Sequence, residues 1–477
     1  MKKIEKILKY LPFVFIFLLF FLAPIDTDLG WHLRYGEYFW QTGEFLRENT
    51  LTYFLKNYEW SNSYSLYQPL VFGIYKFCGI FGIAAASGII GVLIFWIFGK
   101  INPRLTKINL PLFLAAVFFG WNVFALGFRA QIFSILGVVA TFWLLGKSVA
   151  NRKLLFWFPV IFIVWANFHG GFVLGLLLLG FFTVNSFFTD RKNSLPLAAA
   201  TIISTAAACA NPYGCNIFAE AWQHVEVPLE NLIAEWVPPS PLAQSLIITA
   251  VVILIFGIWQ SRNREKIFWS LALAAFAFLA FGAKRHLPIF AFAGILALAE
   301  IFAEEFQKIE SGKFPALVRN LLLIFGVPFL IFVNLPANLA PLRSAENYCH
   351  NIPRNYPCEA IDFLAARKTV GKNIFSQFEW GGFLEWQLPQ NRYFVDGRMP
   401  AWSTENGKSP YTIYLEIIQA RRGWQNLLAE YETDLLLIDR GTFLDLELQK
   451  NKNLGWREIF RGERGVIYEK NSSTSNE

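Results

Sequence analysis

The chain has 477 residues, 55% of them hydrophobic and only 16% charged, against roughly 25% charged in a soluble globular protein. Mean hydropathy is +0.39 and the apolar residues come in long uncharged blocks, which excludes an ordinary water-soluble enzyme. The net charge of +7 is spread among loops between those blocks, so it reads as a topology signal and not as a nucleic-acid footprint.

Lys2, Lys3, Lys6 and Lys9 precede an apolar run from Ile7 to Ala23. The pattern is that of a secretory signal, but Pro24 follows Ala23 and no A-x-A pattern precedes it, so the run predicts an uncleaved signal anchor. Its N-terminus lies in the cytoplasm and Asp26 outside. Further spans are predicted at about 80–99, 109–126, 131–147, 154–168, 171–188, 195–210, 244–260, 266–283, 287–303 and 317–335, which makes about eleven. Leu66 to Gly79 is apolar but only about half the spanning length, and reads as an interfacial helix.

Lys and Arg in the short loops set the orientation. Lys100, Arg104 and Lys107 fall at expected inner ends. So do Lys147, Arg152 and Lys153; Arg191 and Lys192; Arg262, Arg264 and Lys266; and Lys308, Lys313 and Arg319. The loop 211–243 has no Lys or Arg but carries Glu220, Glu226, Glu230 and Glu235. This alternation predicts a multi-pass protein of the plasma (inner) membrane with residues 336–477 outside. The expected architecture is a polytopic α-helical membrane domain, 1–335, with a long first outer loop at about 26–79, and a small extracytoplasmic α/β domain, 336–477.

In that second region charge returns and the periodicity is mixed. Glu359–Arg367 predicts a helix, Asn373–Phe378 and Arg392–Val395 strands, Tyr411–Tyr431 a long amphipathic helix, and Leu435–Ile438 a strand. Ile459–Phe460 and Gly465–Tyr468 suggest a hairpin around Gly462, and Asn471–Glu477 a disordered tail. Cys349 and Cys358 lie in a compartment that permits disulfides, and Cys209 and Cys215 sit near the same side. Spacing alone decides neither pairing, and free thiols are equally compatible.

Chemistry is sought in polar groups that break the pattern. Asp26-Thr27-Asp28 follows the first span and opens a loop rich in Trp and Tyr. Two carboxylates at this spacing can share a divalent cation, Mg or Mn, or divide labour as base and positioner. A solvated helix end is the alternative. Arg129, Lys284, Arg285 and His286 are cations at expected outer turns, against the positive-inside rule. They suit a phosphate-bearing lipid, although snorkelling side chains look the same in sequence. His169, in Asn167-Phe168-His169-Gly170-Gly171, can hold a phosphate or sugar hydroxyl, or merely cap a helix. Glu235-Trp236 can offer a carboxylate and a stacking surface, or be an ordinary interfacial pair.

Together these segments resemble the C-type glycosyltransferase (GT-C) superfamily, which includes protein mannosyltransferases, oligosaccharyltransferases and lipid-A-core-type sugar transferases. The resemblance is carried by Asp26-x-Asp28-x-x-Trp31-His32-Leu33, Arg129-x-Gln131, Asn167-x-His169-Gly170-Gly171, Asn211-Pro212-Tyr213-Gly214, Glu235-Trp236 and Lys284-Arg285. Trp380-Gly381-Gly382 and Asp396-Gly397-Arg398 extend it into the second region. More closely, the chain is similar to a bacterial family of uncharacterised membrane proteins related to that superfamily. The resemblance implies transfer of a sugar from a polyprenyl-phosphate-linked donor to a glycan, lipid or protein acceptor of the envelope. Asp28 would be the base and Asp26 its support or a metal ligand. Arg129, Lys284, Arg285 and His169 would hold the donor phosphate, and Trp31, His32, Glu235 and Trp236 the acceptor or sugar. The chain lacks the Trp-Trp-Asp-Tyr-Gly motif of oligosaccharyltransferases, which argues against peptide glycosylation at Asn. A transporter or flippase, or a non-catalytic envelope assembly protein, would use the same polar groups differently.

Overall fold

The computed structural model describes residues 2–227, 229–261, 263–343, 345–352, 356–404 and 407–471, without the side chains of 2–9, 231 and 345–347. Arg262, the side chains of Lys2, Lys3, Lys6 and Lys9, and the tail beyond Asn471 lie outside the described residues. Two compact units emerge, each discontinuous in sequence. The first joins Met1–Pro24, Asn62–Tyr67 and Cys78–Leu339; the second joins Ile25–Ser61, Gln68–Phe77 and Ala340–Glu477.

In the first unit every predicted span falls on a helix. These are Lys2–Phe20, the distal part of Tyr67–Ile101, Asn109–Phe119 with Trp121–Phe124, Gln131–Ala150, Trp157–Ala166, Phe172–Thr189, Arg191–Ala208, Pro241–Gln260, Lys266–Gly282, Leu287–Ile301 and Phe314–Phe329. Among the described residues, five helices are long and apolar enough to cross a bilayer, or six if the bent pair Lys284–Ile301 and Ala303–Ser311 is one span. Others, such as Asn109–Phe119 and Lys266–Gly282, are apolar but shorter, so helix length alone does not fix the number of crossings. Gly79 sits at φ 62°, ψ −162°, and breaks Tyr67–Ile101. A glycine tolerates that conformation at little cost, and the break sets 67–78 apart as a helix of its own.

Lipid tails are as apolar as Leu, so these helices are held by close packing and by hydrogen bonds between them. Phe113 is fully buried and meets Phe95, Phe98 and Phe292 edge-on at 5.1, 5.6 and 5.6 Å. Thr183 and Thr201 pair at 2.9 Å. The Trp165 indole donates to Ser134 at 2.9 Å. Phe278 and Phe332 are 79% and 78% exposed, a surface suited to lipid and not to water. At one end, the Lys107 backbone N–H and Nζ both bond residue 310, through Glu310 Oε1 at 2.8 Å and its carbonyl at 2.6 Å. Both loops carry the expected inner charges.

The second unit is built on a five-stranded sheet of β1 (Asn373–Ser376), β2 (Arg392–Tyr393), β3 (Leu435–Asp439), β4 (Trp456–Arg461) and β5 (Gly465–Lys470). Its order is β2-β1-β3-β5-β4. β1 runs parallel to β2 and β3, while β5 is antiparallel to β3 and β4. The apolar runs Ile374-Phe375 and Leu435–Ile438 are completely or nearly completely buried, as strands covered on both faces must be. The first loop joins this sheet. Thr52 bridges Tyr393 in parallel, and the Tyr53 N–H donates to the Tyr393 carbonyl at 3.0 Å.

The predicted helix Tyr411–Tyr431 is corrected: it is two helices, Pro410–Ile418 and Trp424–Glu430. Ala420 (φ 49°) and Gly423 (φ 93°) are left-handed, which ends the first helix and turns the chain before the second. Helices Gly381–Gln387 and Phe443–Lys450 were not apparent from periodicity, because each is too short for an apolar stripe to repeat. Disulfides join Cys209 to Cys215 and Cys349 to Cys358, and Cys78 is free and exposed.

Candidate functional site

In the helical unit, three loops meet around Glu235. The Arg285 and Lys284 N–H groups donate to the Glu235 and Val237 carbonyls, both at 3.1 Å. Gln131 Nε2 donates to the Arg285 carbonyl at 3.0 Å, and Asn122 Nδ2 to the Lys284 carbonyl at 3.1 Å. These backbone ties fix where the charged side chains go. Arg129, 7% exposed, donates from Nη1 to Glu235 Oε2 at 2.8 Å. Arg285 Nη1 lies 3.3 Å from Glu235 Oε1, and its guanidinium lies over the Trp236 ring at 4.4 Å. Burial alone would raise the Glu235 carboxyl, but the Arg129 and Arg285 guanidiniums outweigh it and hold the group down to about 2. Glu235 therefore pairs with both guanidiniums, which concentrates positive charge where the three loops meet.

Three histidines surround that charge. His169 Nδ1 accepts the Gly171 N–H at 3.0 Å and lies 2.7 Å from the Ser134 hydroxyl. An accepting Nδ1 leaves the ring proton on Nε2, available as a donor. Burial, then Arg285 and Arg129, push His169 well below its usual value. Burial and Arg285 do the same to His286, down to about 3, and lower His224 against the Glu220 carbonyl that it contacts. Trp236 packs against both, stacked on His224 at 6.5 Å and edge-on to His286 at 5.8 Å. Neutral imidazoles beside two guanidiniums leave anion affinity to the arginines and hydrogen-bond donation to His169. The Lys284 side chain is half-buried and makes no ion pair among the described residues.

The glycine-containing motifs of this unit are turns. Asn167 accepts the Ser65 hydroxyl at 2.6 Å and donates to the Ala210 carbonyl at 3.0 Å. Asn211 accepts the Tyr213 N–H at 2.8 Å and donates to the Gly214 carbonyl at 2.9 Å, beside the Cys209–Cys215 bridge.

The aspartate pair belongs to the second unit. Asp28 stands at the N-terminus of helix Leu29–Thr42, where the helix dipole favours negative charge. Its Oδ1 accepts the Trp31 indole N–H at 3.1 Å. Asp26 is 6% exposed and its Oδ1 lies 3.4 Å from the Asp28 N–H. Trp31 and His32 are 2% and 3% exposed and stack on each other at 3.6 Å. They lie inside the unit, where Trp31 orients Asp28. The Trp-Gly-Gly and Asp-Gly-Arg motifs close on the same place. A Cβ on Gly30 would fall 1.7 Å from the Gly382 carbonyl oxygen, and one on Gly397 would fall 1.9 Å from Asp28 Oδ1. Only glycine permits backbones this close.

Arg398 ties the same region together and was missed as a structural element in the sequence. It donates from Nε to Asp396 Oδ1 at 2.9 Å, from Nη1 to the Tyr35 hydroxyl at 2.6 Å and from Nη2 to Asn49 at 3.2 Å. Nη2 also bonds Asp396 Oδ2 and lies 3.7 Å from Glu385. Burial and Asp396 push the Glu385 carboxyl well above its usual value, while Arg398 holds Asp396 below its own despite burial. Of the two carboxyls, Glu385 is thus the one that favours a proton. No local sequence signal marks Glu385, Tyr35 or Asn49 as partners of an arginine so distant in the chain.

Among the described residues no group of three or more His, Cys, Asp or Glu side chains is placed to hold a metal ion. Asp26 and Asp28 supply only part of the six-oxygen shell that Mg or Mn prefers, the remainder coming from water and substrate phosphate in sites of that kind.

No protein-family profile and no curated protein matches the sequence. Solved structures do match the fold. The Archaeoglobus fulgidus oligosaccharyltransferase tethered to an acceptor peptide superposes with a TM-score of 0.58 at 10% identity, over 96% of this chain and 73% of that one. AglB from the same organism, in complex with an inhibitory peptide and a dolichol-phosphate, gives 0.57 at 10% identity, over 93% and 69%. ArnT from Cupriavidus metallidurans bound to undecaprenyl phosphate gives 0.53 at 12% identity, over 96% of both chains. At these identities the likeness shows that the chain shares the fold of these membrane-enzyme structures.

Proposed function

We propose that the protein is an integral membrane glycosyltransferase of the plasma membrane. It moves a sugar from a polyprenyl-phosphate-linked donor to an envelope acceptor at the outer face, with inversion. The observation that carries this reading is the convergence of the Arg129 and Arg285 guanidiniums on Glu235, with a neutral His169 donor beside them. The dolichol-phosphate and undecaprenyl phosphate bound by the AglB and ArnT structures support a lipid phosphate as the anion.

In the reaction the acceptor hydroxyl oxygen bonds to the anomeric carbon. The carbon–oxygen bond to phosphate breaks, the polyprenyl phosphate leaves with the electron pair, and the hydroxyl proton passes to the Asp28 carboxylate. Attack and departure on opposite faces invert the anomeric configuration. Arg129 and Arg285 stabilise the charge growing on the phosphate, and Lys284 adds to the same field. His169 Nε2–H donates to a phosphate oxygen. Asp26 and Trp31 position Asp28, and Glu235 and Trp236 hold the arginines in place.

The test is transfer by the purified protein in liposomes with labelled undecaprenyl-phosphate sugars. Asp28→Asn, which keeps size and the acceptor atom for Trp31, is expected to lower kcat by about 10²–10⁴-fold. Undiminished turnover removes Asp28 from the role, and no transfer from any donor by the unaltered protein sinks the proposal.

A further inference from the structure

The second unit contains a cavity of about 390 Å³ that the sugar-transfer roles above do not use. Its volume lies within the range of small-molecule sites, roughly 300–1,000 Å³. Its position follows from topology. The chain leaves β1, adds β2 on one side, and later adds β3 on the other, with all three parallel. The carboxyl ends of β1 and β3 therefore diverge at a switch in strand order, the place where open α/β sheets bind ligands. Gln377 and Glu379, which follow β1, and Asp439, which ends β3, all line the cavity.

The wall chemistry narrows the ligand. Tyr411 and Tyr414 supply aromatic surface. The Tyr411 ring is held edge-on by Phe378 at 4.7 Å, and the Tyr414 hydroxyl donates to Gln377 Oε1. Arg464, 3.8 Å from Asp439, answers one of the two carboxylates, and Glu379 makes no ion pair among the described residues, so an anionic ligand is disfavoured. A wall of aromatic faces, carboxylates and an amide suits a molecule with apolar C–H faces and many hydroxyls. Thr27, between Asp26 and Asp28, also lines the cavity, so a molecule held there lies beside the aspartate pair.

We propose that this cavity binds an uncharged saccharide that serves as the sugar acceptor, with Tyr411 as the stacking platform and Gln377, Glu379 and Asp439 as hydroxyl partners. Its role as acceptor site rests on the transferase reading; the saccharide site itself does not. Detergent-solubilised full-length protein is applied to an array of immobilised neutral, amino and uronic-acid oligosaccharides. Capture by a neutral oligosaccharide is expected. It should weaken about tenfold in Tyr411→Ala, persist in Tyr411→Phe, which keeps the ring, and persist in Asp28→Asn. In the liposome assay Tyr411→Ala raises the acceptor KM.

No capture of a neutral saccharide, or capture indifferent to both Tyr411→Ala and Glu379→Gln, overturns the site. Capture lost in Tyr411→Ala with no transfer from any donor upholds the saccharide site and removes the transferase reading. Transfer with an unshifted acceptor KM does the reverse.

Discussion

Two arginine–carboxylate clusters, one in each unit, use the same groups for opposite ends. Around Arg398 the side chains of Arg398, Asp396 and Glu385 are 0–1% exposed, and the guanidinium is fastened to two segments of the first loop. Around Glu235 the carboxylate is 27% exposed, one guanidinium 9% and the other 15%, and both guanidiniums share the one carboxylate. A buried cluster that balances its charge stabilises a shape, and breaking it leaves an uncompensated ion in a poor solvent. Guanidiniums that remain partly accessible retain affinity for an anion. Exposure, and not residue type, separates the two clusters.

The comparison breaks most readily at Arg398. Arg398→Met should destabilise the second unit by about 3–5 kcal/mol, read by denaturant unfolding in detergent. A loss under about 1 kcal/mol would mean that the cluster is not structural. Arg285→Gln comes next. It should slow transfer by about 10²-fold while the unfolding midpoint stays close to that of the unaltered protein. Equal damage to stability would erase the contrast between the clusters.

The smallest expected effect concerns pH. The folded unit keeps a proton on Glu385 that the unfolded chain releases above about 4.3. The folded state then binds more protons than the unfolded one, so stability falls as pH rises from there through the raised native value. Glu385→Gln should flatten that slope above the unfolded carboxyl's value of about 4.3, measured as unfolding midpoints against pH. An unchanged slope would place the proton elsewhere.

Much of the helical unit was legible because burial in lipid demands long uncharged runs, and such runs are visible in a linear sequence. Arg129 and Arg285 were legible for a related reason: each violates the charge rule that the remaining loops obey. Glu235 was visible as an acidic loop residue, but its pairing with both arginines was not, because that depends on three loops converging. In the second unit Leu435–Asp439 and the hairpin about Gly462 followed from periodicity and turn chemistry. The left-handed break at Ala420 did not, since alanine carries no turn signal. Asp-Gly-Arg was visible only as a motif. Its physical meaning depends on Tyr35, Asn49 and Glu385, which nothing local connects.

The tie between Arg398 and Tyr35 spans 363 residues, and this sets an order of events during synthesis. At roughly 5–20 residues per second, on the order of 20–70 s separates the emergence of the two ends. Through that interval the aromatic first loop waits without its sheet, and Asp28 waits without the glycine of residue 397 against its carboxylate. The packing that Arg398 brings to the first loop therefore cannot form until the last third of the chain has begun to emerge.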